Sequence, residues 1–296
     1  MRLKKFRAAI MLMMAALVWG AAMSFQVEGM DHVGPVTLQA VRFLLGGTVL
    51  LPAVFILGKK DPGADKESYK SSGVLVGGAI CGVFLMIACT LQQLGLQFTT
   101  AGKAGFLTSL YIIIIPILGI FLKKKISLGI WGSVALAMLG MYLLCMKESL
   151  VLSRGDTLVF ISAIVFSFQI MAVAKYASVY NALKLSCIQF YVCGILSAIV
   201  MFIFETPDIT SILNAWVPIL YLGAASCGIG YTFQTIAQKD LQPAIASIIM
   251  SLESVFAALF GWILLGQKMS VREILGCVIM FAAIILAQIF DTPEKE

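Results

Sequence analysis

The sequence predicts an all-α membrane protein of ten transmembrane helices, arranged as two inverted five-helix repeats. Three observations support this prediction: the composition, the spacing of the apolar stretches, and an ordered similarity between the two halves of the chain. Of the 296 residues, 60% are hydrophobic and only 12% are charged, and the mean hydropathy is +1.00. Soluble domains carry roughly 25% charged residues, and a soluble fold of this size could not bury so much apolar surface. A lipid bilayer is therefore the predicted solvent.

Ten apolar stretches are long enough to cross a membrane. The ~30 Å hydrocarbon core of a bilayer needs about 20 mainly apolar residues per helix. The stretches are too long for barrel strands and show no strict alternation, which favours helices over a β-barrel. The predicted spans are Ala8–Phe25, Thr37–Leu57, Gly73–Leu94, Ala101–Leu122, Leu128–Met146, Leu158–Val173, Leu183–Phe204, Trp216–Thr235, Ala244–Leu265 and Ile274–Phe290.

The distribution of Lys and Arg predicts the topology, because cytoplasmic loops carry an excess of both. Ten spans put both termini on one side. That side collects fifteen basic residues: Arg2, Lys4, Lys5, Arg7, Lys59, Lys60, Lys66, Lys70, Lys123, Lys124, Lys125, Lys175, Lys184, Lys239 and Lys295. The opposite side collects five, namely Lys103, Lys147, Arg154, Lys268 and Arg272, and Arg42 falls inside the second span. We therefore predict a multi-pass protein of the cytoplasmic membrane with both termini in the cytoplasm.

An internal repeat divides the chain at 8–146 and 156–290. The segment Thr37–Phe43 of the second span aligns with Lys184–Phe190 of the seventh, and Ser109-Leu110-Tyr111 aligns with Ser251-Leu252-Glu253. Gln92 falls on Gln234 in the same register as the latter pair. Five spans per repeat is an odd number, so the second repeat enters the membrane from the opposite side. Inverted repeats are typical of proteins that alternate between two open states around a site near the bilayer midplane.

Several short motifs match a known family. They are Trp19-Gly20 in the first span, Pro35 with Arg42-Phe43 in the second, the run GLQFTTAGKA at 95–104 before Pro116, and Ser251-Leu252-Glu253 followed by VFAALFGW at 255–262. With these motifs the chain resembles the drug/metabolite transporter superfamily, specifically its EamA type with two tandem EamA domains. The resemblance covers about residues 8–290. It implies export or exchange of small polar metabolites, amino acids among them, from a central cavity.

The chain departs from the family pattern in two places. Ser254 stands where the family often has Pro, and Gly266-Gln267 stands where it often has Gly-Glu. The related small multidrug pumps use an acidic residue in their first helix. Ala8–Phe25 contains neither Asp nor Glu, so their scheme of proton coupling does not carry over to this chain.

Glu253 is the main candidate site residue. It lies about ten residues into the ninth span, which at 1.5 Å per residue is roughly 15 Å deep and near the midplane. A carboxylate at that depth is costly unless it faces water, faces a partner or takes up a proton. We expect it to contact a substrate amine or to be a proton site. The alternative is a structural hydrogen bond to a neighbouring helix.

Two basic residues accompany it. Arg42 is predicted to lie roughly 10 Å below the outer surface, where it binds a carboxylate, pairs with an acidic group, or snorkels outward. Arg42 and Glu253 together could hold both ends of a zwitterion. Lys103 follows Gly102 at the outer mouth of the fourth span. It is either a snorkelling interfacial lysine, or a gate or an anion contact.

Four further residues are predicted to form the cavity wall. Cavities for organic solutes tend to have aromatic walls with a few placed polar groups. Trp19 and Tyr111 are the best aromatic candidates, ahead of Phe166, Tyr191 and Tyr231. Gln92 and Gln234 are amides in apolar surroundings, which either line the cavity or hydrogen-bond between helices.

No cofactor or metal site is predicted. The seven cysteines form no Cys-x-x-Cys pair, and no glycine-rich phosphate loop is present, so direct ATP hydrolysis is unsupported. The predicted partners are a small-molecule substrate and the lipid bilayer, with protons as the candidate coupling ion and without nucleic acid; a monomer or a homodimer would fit. The predicted function is a secondary active transporter. The alternatives are an uncoupled facilitator and, from a different class, an intramembrane enzyme acting on a lipid-linked substrate.

Overall fold

The computed structural model describes residues 2–57, 71–124, 126–146, 153–265 and 269–290. Within these ranges the secondary structure is helical, without β-strands. Ten segments are long and apolar enough to cross a membrane, which confirms the predicted number of spans. They are Leu3–Met30, Pro35–Ile56, Ser72–Leu96, Gly102–Phe121, Leu128–Cys145, Arg154–Ala177, Ala182–Phe204, Trp216–Ala237, Pro243–Phe260 and Val271–Ile289. Of the sequence features singled out above, Lys59, Lys60, Lys66, Lys70, Lys125, Lys147, Gly266-Gln267, Lys268 and Lys295 lie outside the described residues.

Most spans are single helices, and three are composite. The single helices are α1 (Arg2–Met30), α2 (Pro35–Leu57), α3 (Ser71–Leu96), α6 (Leu128–Cys145), α7 (Arg154–Ala177), α8 (Ala182–Phe204) and α14 (Val271–Ile289). The fourth span joins α4 (Ala101–Thr108) to α5 (Tyr111–Phe121), and the ninth joins α12 (Pro243–Met250) to α13 (Leu252–Leu265). A short helix α9 (Ile209–Asn214) precedes the eighth span, which consists of α10 (Trp216–Leu220), a π-helical segment (Tyr221–Tyr231) and α11 (Thr232–Ala237).

The two repeats interlock instead of lying side by side. The most extensive helix contacts run between them: α2 packs on α8, α6 on α14, and α3 on both α7 and α8. The π-helical segment of the second repeat likewise packs on α1 and α2 of the first repeat. Helix α1 contacts α13 of the ninth span, and the equivalent helix α7 contacts α4 and α5 of the fourth span. Exchanging each span with its partner five spans later reproduces this set of contacts. The packing therefore has the two-fold pseudo-symmetry that the inverted repeat predicts.

Glycines allow these close crossings. A Cβ atom at Gly140 of α6 would lie 2.9 Å from the carbonyl oxygen of Gly276 on α14, and one at Gly276 would lie 2.7 Å from the carbonyl oxygen of Gly140. In the third span, a Cβ at Gly82 would lie 2.8 Å from the carbonyl oxygen of Gln189 on α8. Small residues let helix backbones approach in lipid, where packing drives association. These three glycines therefore serve the packing between the repeats.

The fourth and ninth spans are each broken near their middle, at equivalent positions of the two repeats. The sequence predicted continuous helices here. Instead, the carbonyl of Ser109 accepts a bond from the amide of Ile112 at 3.0 Å, and that of Ser251 accepts one from Ser254 at 3.2 Å. These bonds between residues three apart tighten the backbone into a turn. Hydropathy does not report the backbone path, so an apolar sequence hides such a break.

On the membrane side opposite the two termini, called the far side below, Glu205 joins the second and seventh spans. It follows α8 directly and accepts bonds from the backbone amides of Val36 at 2.9 Å and Thr37 at 2.8 Å, and from Thr37 Oγ1 at 2.6 Å. These amides belong to the first turn of α2, where backbone donors have no partner inside the helix. The carboxylate therefore caps a helix of the other repeat.

Candidate functional site

A cavity lies between the repeats at the centre of the helix bundle. Its volume is about 620 Å³ with its opening included. Seven of the ten spans contribute to its walls. The lining residues are Trp19, Ala22, Met23, Gln26, Arg42, Gln92, Thr108, Tyr111, Phe166, Gln169, Ile170, Ser226, Tyr231, Gln234, Met250 and Glu253.

The six residues predicted to bind substrate all lie on this wall: Trp19, Arg42, Gln92, Tyr111, Gln234 and Glu253. They come from six different spans, so only the tertiary structure could bring them together. Of the other predicted aromatics, Phe166 and Tyr231 also line the cavity. Tyr191 is not among its lining residues; its hydroxyl lies 3.2 Å from Thr48 Oγ1.

The cavity sits on the pseudo-two-fold axis. In the register of the repeat, Gln92 corresponds to Gln234 and Tyr111 to Glu253, and all four line the cavity. The offset that aligns the second span with the seventh also aligns the first span with the sixth. It gives three further pairs of lining residues: Trp19 with Phe166, Ala22 with Gln169 and Met23 with Ile170. A site on this axis is therefore contacted by equivalent positions of both repeats.

Arg42 and Glu253 bring opposite charges to the cavity without pairing with each other. Arg42 is 3% exposed, and its Nε atom has no hydrogen-bond partner. The polar groups around its guanidinium are thiols and a phenol, from Cys89, Cys193, Cys227 and Tyr231. Among the described residues neither Arg42 nor Glu253 forms an ion pair. The snorkelling and acid-pairing alternatives for Arg42 are thus not what the structure shows.

Glutamines supply the uncharged polar groups of the wall. Gln92 Nε2 donates to Thr108 Oγ1 at 3.0 Å, and Gln234 Nε2 lies 3.5 Å from Gln169 Oε1. Both amides therefore line the cavity and contact another helix, so the two alternatives predicted for them coexist. Within the described part of the chain, the oxygens Gln26 Oε1 and Gln234 Oε1 have no hydrogen-bond partner. Buried polar groups without a partner are uncommon, and both residues belong to the cavity wall.

Sequence reasoning missed Gln26 and Gln169, although a signal for them was present. Residues three, four and seven positions apart share one face of a helix. Gln26 lies on the face that Trp19 marks in α1, and Gln169 on the face that Phe166 marks in α7. Extending each predicted aromatic along its helical face would have found both amides.

The π-helical segment shapes one aromatic wall. Trp19 Nε1 donates to the backbone carbonyl of Ser226 within this segment at 3.3 Å. The Trp19 ring lies 4.8 Å from the ring of Tyr231, the last residue of the segment, at 57°. Stretches of π-helix are rare and often occur at functional sites. Here the segment holds two aromatic rings of the cavity against each other.

Lys103 is not among the lining residues of the cavity. Its Nζ lies 2.8 Å from Asp156 Oδ2, with the two side chains 13% and 0% exposed. Snorkelling, the first alternative given for Lys103, is therefore replaced by an ion pair. Asp156 was missed because its partner lies far away in sequence, and only its place in the Ser153–Asp156 capping box is visible locally.

Ten apolar spans in two interlocked repeats, enclosing a polar cavity on their common axis, define a membrane transporter. More particularly, the chain belongs to the EamA-like transporter family, whose model matches residues 6–146 and 153–288. The predicted resemblance to the drug/metabolite transporter superfamily is confirmed.

Individual relatives agree with this assignment. An uncharacterized transporter of Archaeoglobus fulgidus is 26% identical over 97% of this chain and 87% of its own length. The uncharacterized transporter YoaV of Bacillus subtilis is 21% identical over 91% of this chain and 92% of its own. A crystal structure of a protein 18% identical in sequence shares the fold with a TM-score of 0.78, over 95% of this chain and 96% of that one.

Proposed function

We propose that the protein is a secondary active transporter of the cytoplasmic membrane that exports or exchanges a small zwitterionic metabolite such as an amino acid. The observation that carries this proposal is the presence of Arg42 and Glu253, with opposite charges and no ion-pair partner among the described residues, on the wall of one cavity. Charges at membrane depth are rare and mark substrate or ion pathways. A solute bearing a carboxylate and an ammonium group would neutralise both.

The remaining wall suits the same solute. A guanidinium binds a carboxylate through parallel hydrogen bonds, which assigns the carboxylate end to Arg42. The ammonium end would contact Glu253 and the aromatic faces nearby, since cations are attracted to aromatic rings. The free oxygens of Gln26 and Gln234 can accept further N–H groups.

The proposed mechanism is alternating access. The repeats, 8–146 and 156–290, would rock against each other and open the cavity to either side of the membrane in turn. The breaks in the fourth and ninth spans place backbone turns beside Tyr111 and Glu253, so both spans can bend there. Glu253 is the proposed proton site if transport is coupled to protons. An uncoupled facilitator would show the same binding without pH-driven flux.

A thermal-shift screen of the purified protein tests the proposal. Amino acids, nucleobases, sugars and organic cations would be compared on the wild type, on Glu253→Gln and on Glu273→Gln. Glu273 lies in the capping box of α14 and serves as the matched carboxylate control. A ligand of the folded state stabilises it by about RT ln(1 + [L]/Kd). We expect amino acids to stabilise the wild type and the control but not Glu253→Gln. Stabilisation by sugars or nucleobases alone would refute the zwitterion.

A further inference from the structure

The far-side ends of the third, fourth and sixth spans meet in a polar junction. The buried carboxylate of Asp156 accepts bonds from Lys103 Nζ at 2.8 Å and from Thr99 Oγ1 at 2.5 Å. Ser153, which caps α7, donates its backbone N–H to Asp156 at 2.8 Å and its hydroxyl to the Phe98 carbonyl at 3.3 Å. Because Phe98, Thr99 and Lys103 belong to the first repeat, these bonds join it to the second.

The backbones at this junction are in close contact. A Cβ atom at Gly155 would lie 2.5 Å from the carbonyl oxygen of Gly95, and one at Gly95 would lie 2.8 Å from that of Gly155. The two helices therefore leave no room for side chains between them. The junction is closed in this structure.

The equivalent junction on the side of the termini has a different chemistry. In the register of the repeat, Lys103 corresponds to Ile245 and Asp156 to Ala9. In the same way, Thr99 corresponds to Leu241, Gly95 to Ala237 and Gly155 to Ala8. All five counterparts belong to one buried apolar cluster, and none of them is more than 6% exposed. One side of the bundle is thus closed by a partly buried ion pair and the other by apolar packing.

We propose that the Lys103–Asp156 pair is a latch that holds the far side of the transporter closed, with Asp156 as an unassigned gating residue. The proposal rests on the alternating-access mechanism proposed above and names its far-side gate. Rocking of the repeats separates the two junctions in turn. Opening the far side breaks a partly buried ion pair, whereas opening the near side exposes apolar surface. The latch therefore sets the population of the far-side-open state.

Removing one partner breaks the 2.8 Å ion pair of the closed state. Losing one member of a partly buried pair is destabilising, and here it acts on the closed state only. Both Asp156→Asn and Lys103→Met should therefore shift the protein towards the far-side-open state. Exchanging the two charges, Lys103→Asp with Asp156→Lys, should restore the closed state.

Labelling of a cavity residue tests the latch without any substrate. Met23 lines the cavity, and Met23→Cys would be labelled with a membrane-impermeant maleimide in intact cells and in inverted vesicles. The chain without this substitution gives the background of the native cysteines, all of which are free thiols. We expect Asp156→Asn and Lys103→Met to label about tenfold faster from the far side, a change that corresponds to about 1.4 kcal/mol. The charge exchange should return the rate to that of the parent, and Glu273→Gln should leave it unchanged.

Three outcomes would overturn the latch. The first is an unchanged labelling rate in single variants that remain folded by gel filtration, and the second is a charge-exchange variant that is labelled as fast as the single variants. The third is faster labelling only from the side of the termini. Because no solute is added, failure to find a transported zwitterion would leave this result intact. A latch that fails this test would likewise leave the substrate proposal standing.

Discussion

Tyr111 and Glu253 occupy equivalent positions of the two repeats, each just after the break in a discontinuous span, and both line the central cavity. The scaffold is pseudo-symmetric, but its chemistry is not, since one repeat places a phenol where the other places a carboxylate. Arg42 likewise corresponds to Gln189 in the aligned segments. Each repeat thus contributes one of the two charges, and a solute that bridges them contacts both halves that are proposed to move.

Substituting either charge should weaken amino acid binding. We expect Glu253→Gln and Arg42→Met each to raise Kd by about thirtyfold or more, because losing one partner of a desolvated charge pair costs at least about 2 kcal/mol. Isothermal titration in detergent would measure this. Equal affinities in Glu253→Gln and the wild type would assign that carboxylate a structural role.

Coupling to protons should depend on the same carboxylate. Glutamine keeps the shape of Glu253 but cannot exchange a proton, so Glu253→Gln should abolish flux driven by a pH gradient in proteoliposomes. Glu273→Gln, a carboxylate outside the cavity, should retain it. A variant at Glu253 whose flux keeps the pH dependence of the wild type would exclude this residue as the coupling site.

The crossing of α6 and α14 should not tolerate a methyl group. Gly140→Ala places a Cβ atom against the backbone of Gly276, and overpacking of this kind typically costs about 1–3 kcal/mol. Gly132 lies on the same helix, and a Cβ atom there would have no neighbour within 4 Å, so Gly132→Ala is the matched control. Thermal unfolding in detergent should show a lower Tm for Gly140→Ala alone. Equal Tm values for the two variants would mean that the helices can separate at no cost.

The cap that Glu205 provides for α2 should contribute to stability. Glu205→Ala removes three hydrogen bonds to a carboxylate, each worth about 1.5–3 kcal/mol, and should lower the Tm. Asp208→Ala removes the exposed cap of the short helix α9, whose bonds go to Ser211 within the same turn, and should have a smaller effect. If both variants unfolded at the same temperature, the link between the second and seventh spans would be without consequence for stability.

Much of the site was predictable because the repeat places equivalent residues at equivalent depths. Glu253 stood out as a lone carboxylate in an apolar span, and its depth follows from the helical rise alone. Gln234 was found through its match with Gln92. Asp156 was not found, because its ion pair joins residues 53 positions apart. Its carboxylate also completes a capping box, and capping alone usually explains an acidic residue at that position. The backbone breaks at Ser109 and Ser251 were not found either, since their residues are as apolar on average as a continuous span requires.

The sequence by itself determined the solvent of this protein, the number of its spans, their division into two inverted repeats and the family. These properties follow from the composition, from the hydropathy of each segment and from the similarity between segments of the two halves. Only the tertiary structure decided that Arg42 and Glu253 share one cavity and that Lys103 pairs with Asp156. Which faces of two helices meet depends on their rotation and crossing, and these are set by packing at glycines such as Gly140 and Gly276 rather than by the hydropathy of either helix.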